Sequence, residues 1–476
     1  MKKRIAGMLL TCLIAFSAPV GLTESRATAA PPDYSDAVGH VVLDSWVGPH
    51  MTDEAYREYA ECGYNRVHFN NTSVHVLGGS SESDYRYLGE KLDTHFTLAE
   101  KYGIDVILAM NAINMNETSP TPFEWVDKTY HDTLQKWKDS DTFCGYMPND
   151  EPTFALSLVG QNESRLQRDY EKITDYILDE YIYFKHNYPG KKFEVVLLGD
   201  MNRGETMAYQ KAGLETYEEY LGYYYDNVMQ YMPYEDRVWS MDRYPFSIKN
   251  DGESYYIRDG FISSLEDLGY MAEATHGEKW TYMQNHTNVL NKESVLYQYY
   301  TAMAYGYTNF VTYCYRDAWS SGGCSIDDLG RKTDNYYYYQ AAHKEIKSFE
   351  NVYMQFVDDW KGVLVCNGSE STIDESDKPW ATATKLLSSY EGIRNFTATQ
   401  DALIGIMRDG NGYDGYMLSN QVYPFGNTEN TVSVTFADAE AALVYTKGQP
   451  VQTVPLDNGT LTVTLSSGGG AFVIPY

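Results

Sequence analysis

Between residues 40 and 360 the chain repeats one pattern eight times: a short β-rich run, then a longer stretch with helical spacing. The runs are His40–Ser45, Asn65–Asn70, Asp105–Asn111, Phe143–Met147, Phe193–Gly199, Arg237–Asp242, Lys279–Gln284 and Asn309–Tyr315. They start about 25 to 50 residues apart, which leaves room for a crossover and is far more than a hairpin needs. Parallel strands are therefore expected, with helices between them, as at Ser83–Tyr102, Glu163–Tyr188, Glu215–Met232 and Glu293–Tyr305. Eight such units predict an α/β fold closed into a (β/α)8 TIM barrel. The competing arrangement is an open doubly wound sheet, which usually carries a glycine-rich phosphate loop after its first strand. Here that strand runs into Asp44-Ser45-Trp46-Val47-Gly48-Pro49-His50.

A last helix is expected at roughly 335–356, and beyond it the periodicity changes from helical to alternating. Thr431–Phe436 alternates, and so does Thr460–Leu465 after the turn Asp457-Asn458-Gly459. Gly468–Gly470 marks a turn before the apolar Ala471-Phe472-Val473-Ile474. Residues 361–476 therefore read as a small β-sandwich, with no low-complexity linker before it.

Residues 1–30 read as a secretory signal peptide. Lys2, Lys3 and Arg4 precede an apolar stretch from Ile5 to Phe16, and small residues close the segment at Ala27–Ala30. Cleavage is expected near Ala18 or Ala29. The apolar stretch falls short of the ~20 residues a membrane span needs. Leu9-Leu10-Thr11-Cys12 lies too early in the stretch for a lipidation site. The short basic start suggests a bacterial, Gram-positive exporter. The organisation expected is thus a leader at 1–30, a catalytic barrel at 31–360 and a β-sandwich at 361–476, secreted and free of the membrane.

The net charge of −29 repels nucleic acid and anionic membranes. Outside the leader stand Cys62, Cys144, Cys314, Cys324 and Cys366. None has the spacing of a zinc site, and no cofactor motif occurs. Cys314 and Cys324 are close enough in sequence to close one loop. Tyrosine is abundant, with 45 copies. Its rings suit sugar faces, although most must serve packing.

A barrel of this kind works at the C-terminal ends of its strands. The polar residues there are Asp44, Asn70, Asn111, Asp150 and Glu151, Asp200 and Asn202, Asp242 and Tyr244, Gln284 and His286, and Tyr313, Tyr315 and Arg316. Carboxylates, amides and phenols at every strand end suit a polyhydroxylated ligand. Trp46, Trp319 and Tyr146 are candidate stacking rings, whereas Trp125 and Trp280 read as core. The sharpest motif is Gly145-Tyr146-Met147-Pro148-Asn149-Asp150-Glu151-Pro152. Glycoside cleavage needs a carboxylic acid to protonate the leaving oxygen, and adjacent carboxylates raise each other's pKa. Glu151 fits that acid. The plainer role for Asp150 or Glu151 is to cap the next helix, with Pro152 in its first turn.

On these residues, 40–360 resembles a glycoside hydrolase barrel. Asp150-Glu151-Pro152 resembles the fourth-strand Asn-Glu-Pro of clan A, whose Glu is the acid/base. Gln298, Tyr299, Ala302, Ala304-Tyr305-Gly306 and Tyr313 resemble the seventh helix and eighth strand of bacterial glycosidases. Two departures stand out. Asp150 replaces the Asn, and the seventh strand ends in Tyr282-Met283-Gln284-Asn285-His286, where clan A has its nucleophilic Glu. Two mechanisms stay open. The Asp-Glu pair resembles that of substrate-assisted β-N-acetylhexosaminidases, and most nearly the β-N-acetylgalactosaminidases with an Asp-Glu-Pro motif. That resemblance implies Asp150 orienting the 2-acetamido group, Glu151 as acid, and Tyr244 or Tyr313 bonding the acetamido oxygen. Alternatively Glu151 is the acid and Asp242 the nucleophile or base. Asp242 has a plainer role as partner of Arg243 or Arg316. Gln284 keeps a further rival alive, a carbohydrate-binding barrel without catalysis.

Overall fold

The computed structural model describes residues 31–70, 82–109, 123–151, 163–200, 208–211, 213–248, 255–258, 260–286, 290–317 and 323–476. Eight parallel strands close into a barrel. They are β1 (Val42–Trp46), β2 (Arg66–Asn70), β3 (Asp105–Ala109), β4 (Phe143–Asp150), β5 (Lys192–Leu198), β6 (Val238–Asp242), β9 (Glu278–Gln284) and β10 (Asn309–Tyr313). Around the barrel the order is β1, β10, β9, β6, β5, β4, β3, β2, so each barrel strand pairs with the next barrel strand in sequence, and the last, β10, closes on the first. One departure was not expected: after β6 the chain makes an antiparallel pair, β7 (Phe246–Ile248) with β8 (Tyr255–Ile257), before the next helix.

Barrel strands are buried on both faces, so they read as near-continuous apolar runs. The register sorts them. Ile107, Met147, Val196, Val238, Trp280, Tyr282 and Val311 fill the barrel interior. Val106, Leu108, Tyr146, Phe193 and Phe310 face the helices. Each such side chain contributes about 1.5–3 kcal/mol on burial. The helices are begun by side chains that satisfy their first N–H groups. Thr52 accepts from Ala55 N at the start of Asp53–Glu61. Asn291 and Ser294 form a reciprocal capping box on Lys292–Ala304.

The interior also holds an ionic cluster. Arg66 Nε donates to Asp44 Oδ2 at 2.5 Å, and its guanidinium lies 3.9 Å over Trp280. His68 bridges two acids, with Nδ1 at 3.0 Å from Asp44 and Nε2 at 2.7 Å from Glu194. Ser240 donates to the other Glu194 oxygen at 2.7 Å. Burial alone would push the His68 pKa down, but Asp44 and Glu194 outweigh it and raise it to about 9. Burial would likewise raise Asp44, yet His68 and Arg66 hold it below its ordinary value. The imidazolium is thus charged between two carboxylates.

Past the barrel, β11 (Trp360–Cys366) opens an antiparallel region. A six-stranded sheet runs β11, β13, β14, β19, β16, β17, and a three-stranded sheet runs β12, β15, β18. These strands are β12 (Ile393–Ala398), β13 (Ala402–Arg408), β14 (Asp414–Asn420), β15 (Asn430–Phe436), β16 (Ala441–Thr446), β17 (Gln452–Pro455), β18 (Thr460–Leu465) and β19 (Gly470–Pro475). Along β15 buried and half-buried residues alternate, as a strand with one face on a core requires. The arrangement is that of a β-sandwich, and it packs directly on the barrel. Gly405 lies where a Cβ would meet the Ala304 backbone at 2.1 Å, and Tyr297 donates to Gln421 at 2.8 Å. Among the described residues no helix is long and apolar enough to cross a membrane.

Candidate active site

The fourth strand carries its chemistry to its last residues. β4 extends through Asp150, whose backbone pairs with Val196, and the Glu151 N–H donates to the Val196 carbonyl at 3.0 Å. Glu151 then turns sharply, with φ +47°. A side chain larger than glycine adopts that region at a cost of about 1–3 kcal/mol, and such residues concentrate at functional sites.

The turn brings Glu151 to the sixth barrel strand, where its carboxyl group is hydrogen-bonded to that of Asp242. Two carboxyl groups bond in this way only if one keeps its proton. The shared proton comes from Glu151, and Asp242 accepts it in that bond. Burial raises its pKa above the ordinary carboxylate range, while the bonds from Glu151 and Tyr244 and the nearby Arg243 hold back part of the rise. Its Oδ1 is sealed from solvent without a hydrogen-bond partner. A buried acceptor left unpaired costs about 1–3 kcal/mol, and such atoms mark places where a structure serves something other than its own stability.

Tyr244 bonds Asp242 and stands at the edge of a small aromatic cluster. Tyr244 packs edge-on against His286 at 4.7 Å and lies 5.6 Å from Tyr313. His286 meets Tyr313 at 5.2 Å. All three are half-buried, so each keeps some open surface. Burial, with Arg258 nearby, lowers the His286 pKa to about 4, so the ring is neutral near pH 7. Chemically, the arrangement offers a proton donor, a second carboxyl group, a phenol and a neutral imidazole at or just past the C-terminal ends of β4, β6 and β9, the end at which such barrels carry their sites.

Of the residues picked from sequence, Glu151, Asp242, Tyr244 and Tyr313 are thus brought together. His286 belongs with them, although at the level of sequence it was only one member of the strand-end crown. Arg258 was missed altogether. It arrives through the β7–β8 pair, which no residue pattern announced. Asp150 ends β4 and Asn70 ends β2 by their backbones. Asn111, Asn202 and Trp319 lie outside the described residues.

Five expectations need correction. Asp44 does not reach the site: β1 continues to Trp46, so Asp44 lies a layer deeper, fully buried and paired with Arg66 and His68. Trp46 is only 3 % exposed, tilted against His68 and Tyr282, and so offers no free face to a sugar. Tyr146 points outward to the helix layer, where its hydroxyl donates to Glu180 at 3.3 Å and its ring packs on Phe184. Gln284 is fully buried and serves as a clamp. Its Oε1 accepts from Phe246 N at 2.9 Å, and its Nε2 donates to Phe246 O at 3.1 Å. That explains an amide at this position: a carboxylate could accept but not donate. Arg316 is 7 % exposed, with Nε at 3.4 Å from Gly48 O, and lies on the β1 side near His50. Trp280 is core, as expected.

Among the described residues no group of three or more His, Cys, Asp or Glu is placed to hold a metal ion.

No protein-family model matches the chain, and no curated protein matches it. Among solved structures, one described as a glycoside hydrolase aligns over 91% of this chain and 92% of its own, at 13% identity and TM-score 0.49. A glucosidase from Croceicoccus marinus aligns over 92% and 96%, at 10% identity and TM-score 0.43. A β-galactosidase from the psychrophilic Marinomonas ef1 aligns over 67% of this chain and 61% of its own, at 11% identity and TM-score 0.43.

Proposed function

We propose that this protein is an exported glycoside hydrolase, with a leader at 1–30, a catalytic barrel at 31–360 and a β-sandwich at 361–476. It cleaves O-glycosidic bonds in oligo- or polysaccharides by carboxylate chemistry. The observation that carries the reading is the hydrogen-bonded pair Glu151 and Asp242, held at the catalytic end of the barrel among Tyr244, Tyr313 and His286. One proton shared by two acids leaves a carboxylic acid available near neutral pH. Glu151, half-buried and turned out of the strand, gives its proton to the leaving oxygen. Asp242 is then left ionised beside the positive charge that develops on the sugar carbon.

In the second mechanism the acetamido group of the substrate attacks the sugar carbon. The closeness of the pair favours it: a retaining acid and nucleophile stand about 5–5.5 Å apart, whereas Glu151 and Asp242 touch. Under this reading Asp242 tunes Glu151, and Asp150 orients the acetamide.

The test is hydrolysis of chromogenic glycosides and natural glycans, with and without 2-acetamido groups, by wild type, Glu151→Gln and Asp242→Asn. Each variant is expected to fold and to lose about 100- to 10,000-fold in kcat/KM. Cleavage confined to acetamido sugars assigns the attack to the substrate. Full activity in Glu151→Gln refutes the site. Saturable sugar binding with no turnover by wild type establishes the non-catalytic barrel instead.

A further inference from the structure

We propose that Cys314 and Cys324 form a disulfide that staples the segment after β10 beside the active site. The two sulfurs lie 3.2 Å apart, on residues ten positions apart in the chain, and both residues are fully buried. Bond formation needs them to close by about 1 Å, to the ~2.05 Å of a disulfide.

The surrounding backbone holds the two sulfurs together without the bond. The Ile326 N–H donates to Tyr315 O at 2.8 Å, and Asp317 N donates back to Ile326 O at 2.9 Å. Asn285 Nδ2 bonds Cys314 O and Ser325 Oγ, each at 2.9 Å. Thr333 Oγ1 donates to Cys324 O at 2.6 Å. Cys314 and Cys324 are thus each fixed by a neighbour on the same polar frame. The other cysteines differ: Cys62 Sγ is directed at Tyr336 O and Cys366 Sγ at Asn367 O.

The bond would act on the site through one residue. Tyr313, directly before Cys314, packs on Tyr244, which bonds Asp242, and so backs that wall of the site, and its carbonyl accepts from Asn285 N at 2.7 Å. Linking Cys314 to Cys324 ties that wall to the frame.

Chemically, the two thiols lose two protons and two electrons and gain one S–S bond. The acceptor is the disulfide of an extracytoplasmic thiol oxidoreductase, or a small-molecule disulfide, which leaves as two thiols. The exchange belongs to folding, before burial. Afterwards the bridge is out of reach of solvent reductants, as structural disulfides are.

The inference rests on the export reading only for its cellular setting, so the test is made in vitro. The full chain is unfolded, reduced and refolded in a buffer of reduced and oxidised glutathione. It is then alkylated in denaturant, with and without prior reduction, and mapped by peptide mass. The expected result is that Cys314 and Cys324 are protected before reduction, appear in one linked peptide, and are modified after it, while Cys62, Cys144 and Cys366 are modified throughout. Alkylation of Cys314 and Cys324 without reduction would overturn the proposal. As a second readout, Cys314→Ala/Cys324→Ala should melt about 3 °C below the oxidised wild type, as closing so short a loop in a chain of this size predicts. A melting point equal to that of the oxidised wild type would overturn it as well.

Discussion

The charge on His68 makes the stability of the barrel depend on pH in a particular direction. Its pKa is about 9 in the folded protein, between Asp44 and Glu194, against an ordinary 6.5. A raised pKa means that the folded state binds the proton more tightly, so the contribution is fully present below pH 6.5 and is lost as pH rises toward 9. The full shift corresponds to about 3 kcal/mol, of which about 2 kcal/mol should vanish between pH 6.5 and 8.5. For a chain this long that loss lowers Tm by about 2 °C. The assay is a melting series across that window for wild type and His68→Gln. The variant should be less stable at every pH, because it leaves buried Glu194 without a cation and Asp44 with Arg66 alone. It should also lose the wild-type slope between pH 6.5 and 8.5. The same slope in both proteins would refute the assignment of a charged His68.

Other expectations follow from single contacts. Gln284→Glu should lower Tm, because the clamp can no longer donate to the Phe246 carbonyl, and it should not raise activity. A gain in kcat would restore the clan A nucleophile to this position. Tyr146→Phe should cost about 1 kcal/mol through the lost bond to Glu180 and leave KM unchanged. A raised KM would return that ring to the sugar site. The acid limb of the pH profile of kcat/KM should lie above the ordinary range of a carboxylate and move in Asp242→Asn, since burial raises Asp242.

Residue type and spacing were enough to establish the barrel. Eight apolar runs at crossover spacing admit few other folds, and the later change to alternation marks the antiparallel sheets. The same reading located Glu151 and Asp242 at strand ends, because strand ends and carboxylates are both legible in one dimension. It could not show that the two touch. That contact depends on a positive φ at Glu151 and on the barrel curvature that brings the ends of β4 and β6 together.

Depth along a strand was also beyond the sequence. Asp44 looked like a strand-end residue until β1 ran two residues further and left it inside, where Arg66 and His68 hold its charge. Trp46 and Tyr146 failed as sugar platforms for a related reason: aromatic character is visible in sequence, but whether a ring faces solvent, a helix or the barrel interior is set by register. Gln284 looked like a missing nucleophile, and only its two bonds to Phe246 showed why an amide stands there. The sequence by itself thus determined the order of elements and the kinds of chemistry available, because periodicity and residue type are properties of the chain. The tertiary structure alone decided which groups meet and which are shut away, because ion pairs, shared protons and buried acceptors are set by distances between residues far apart in sequence.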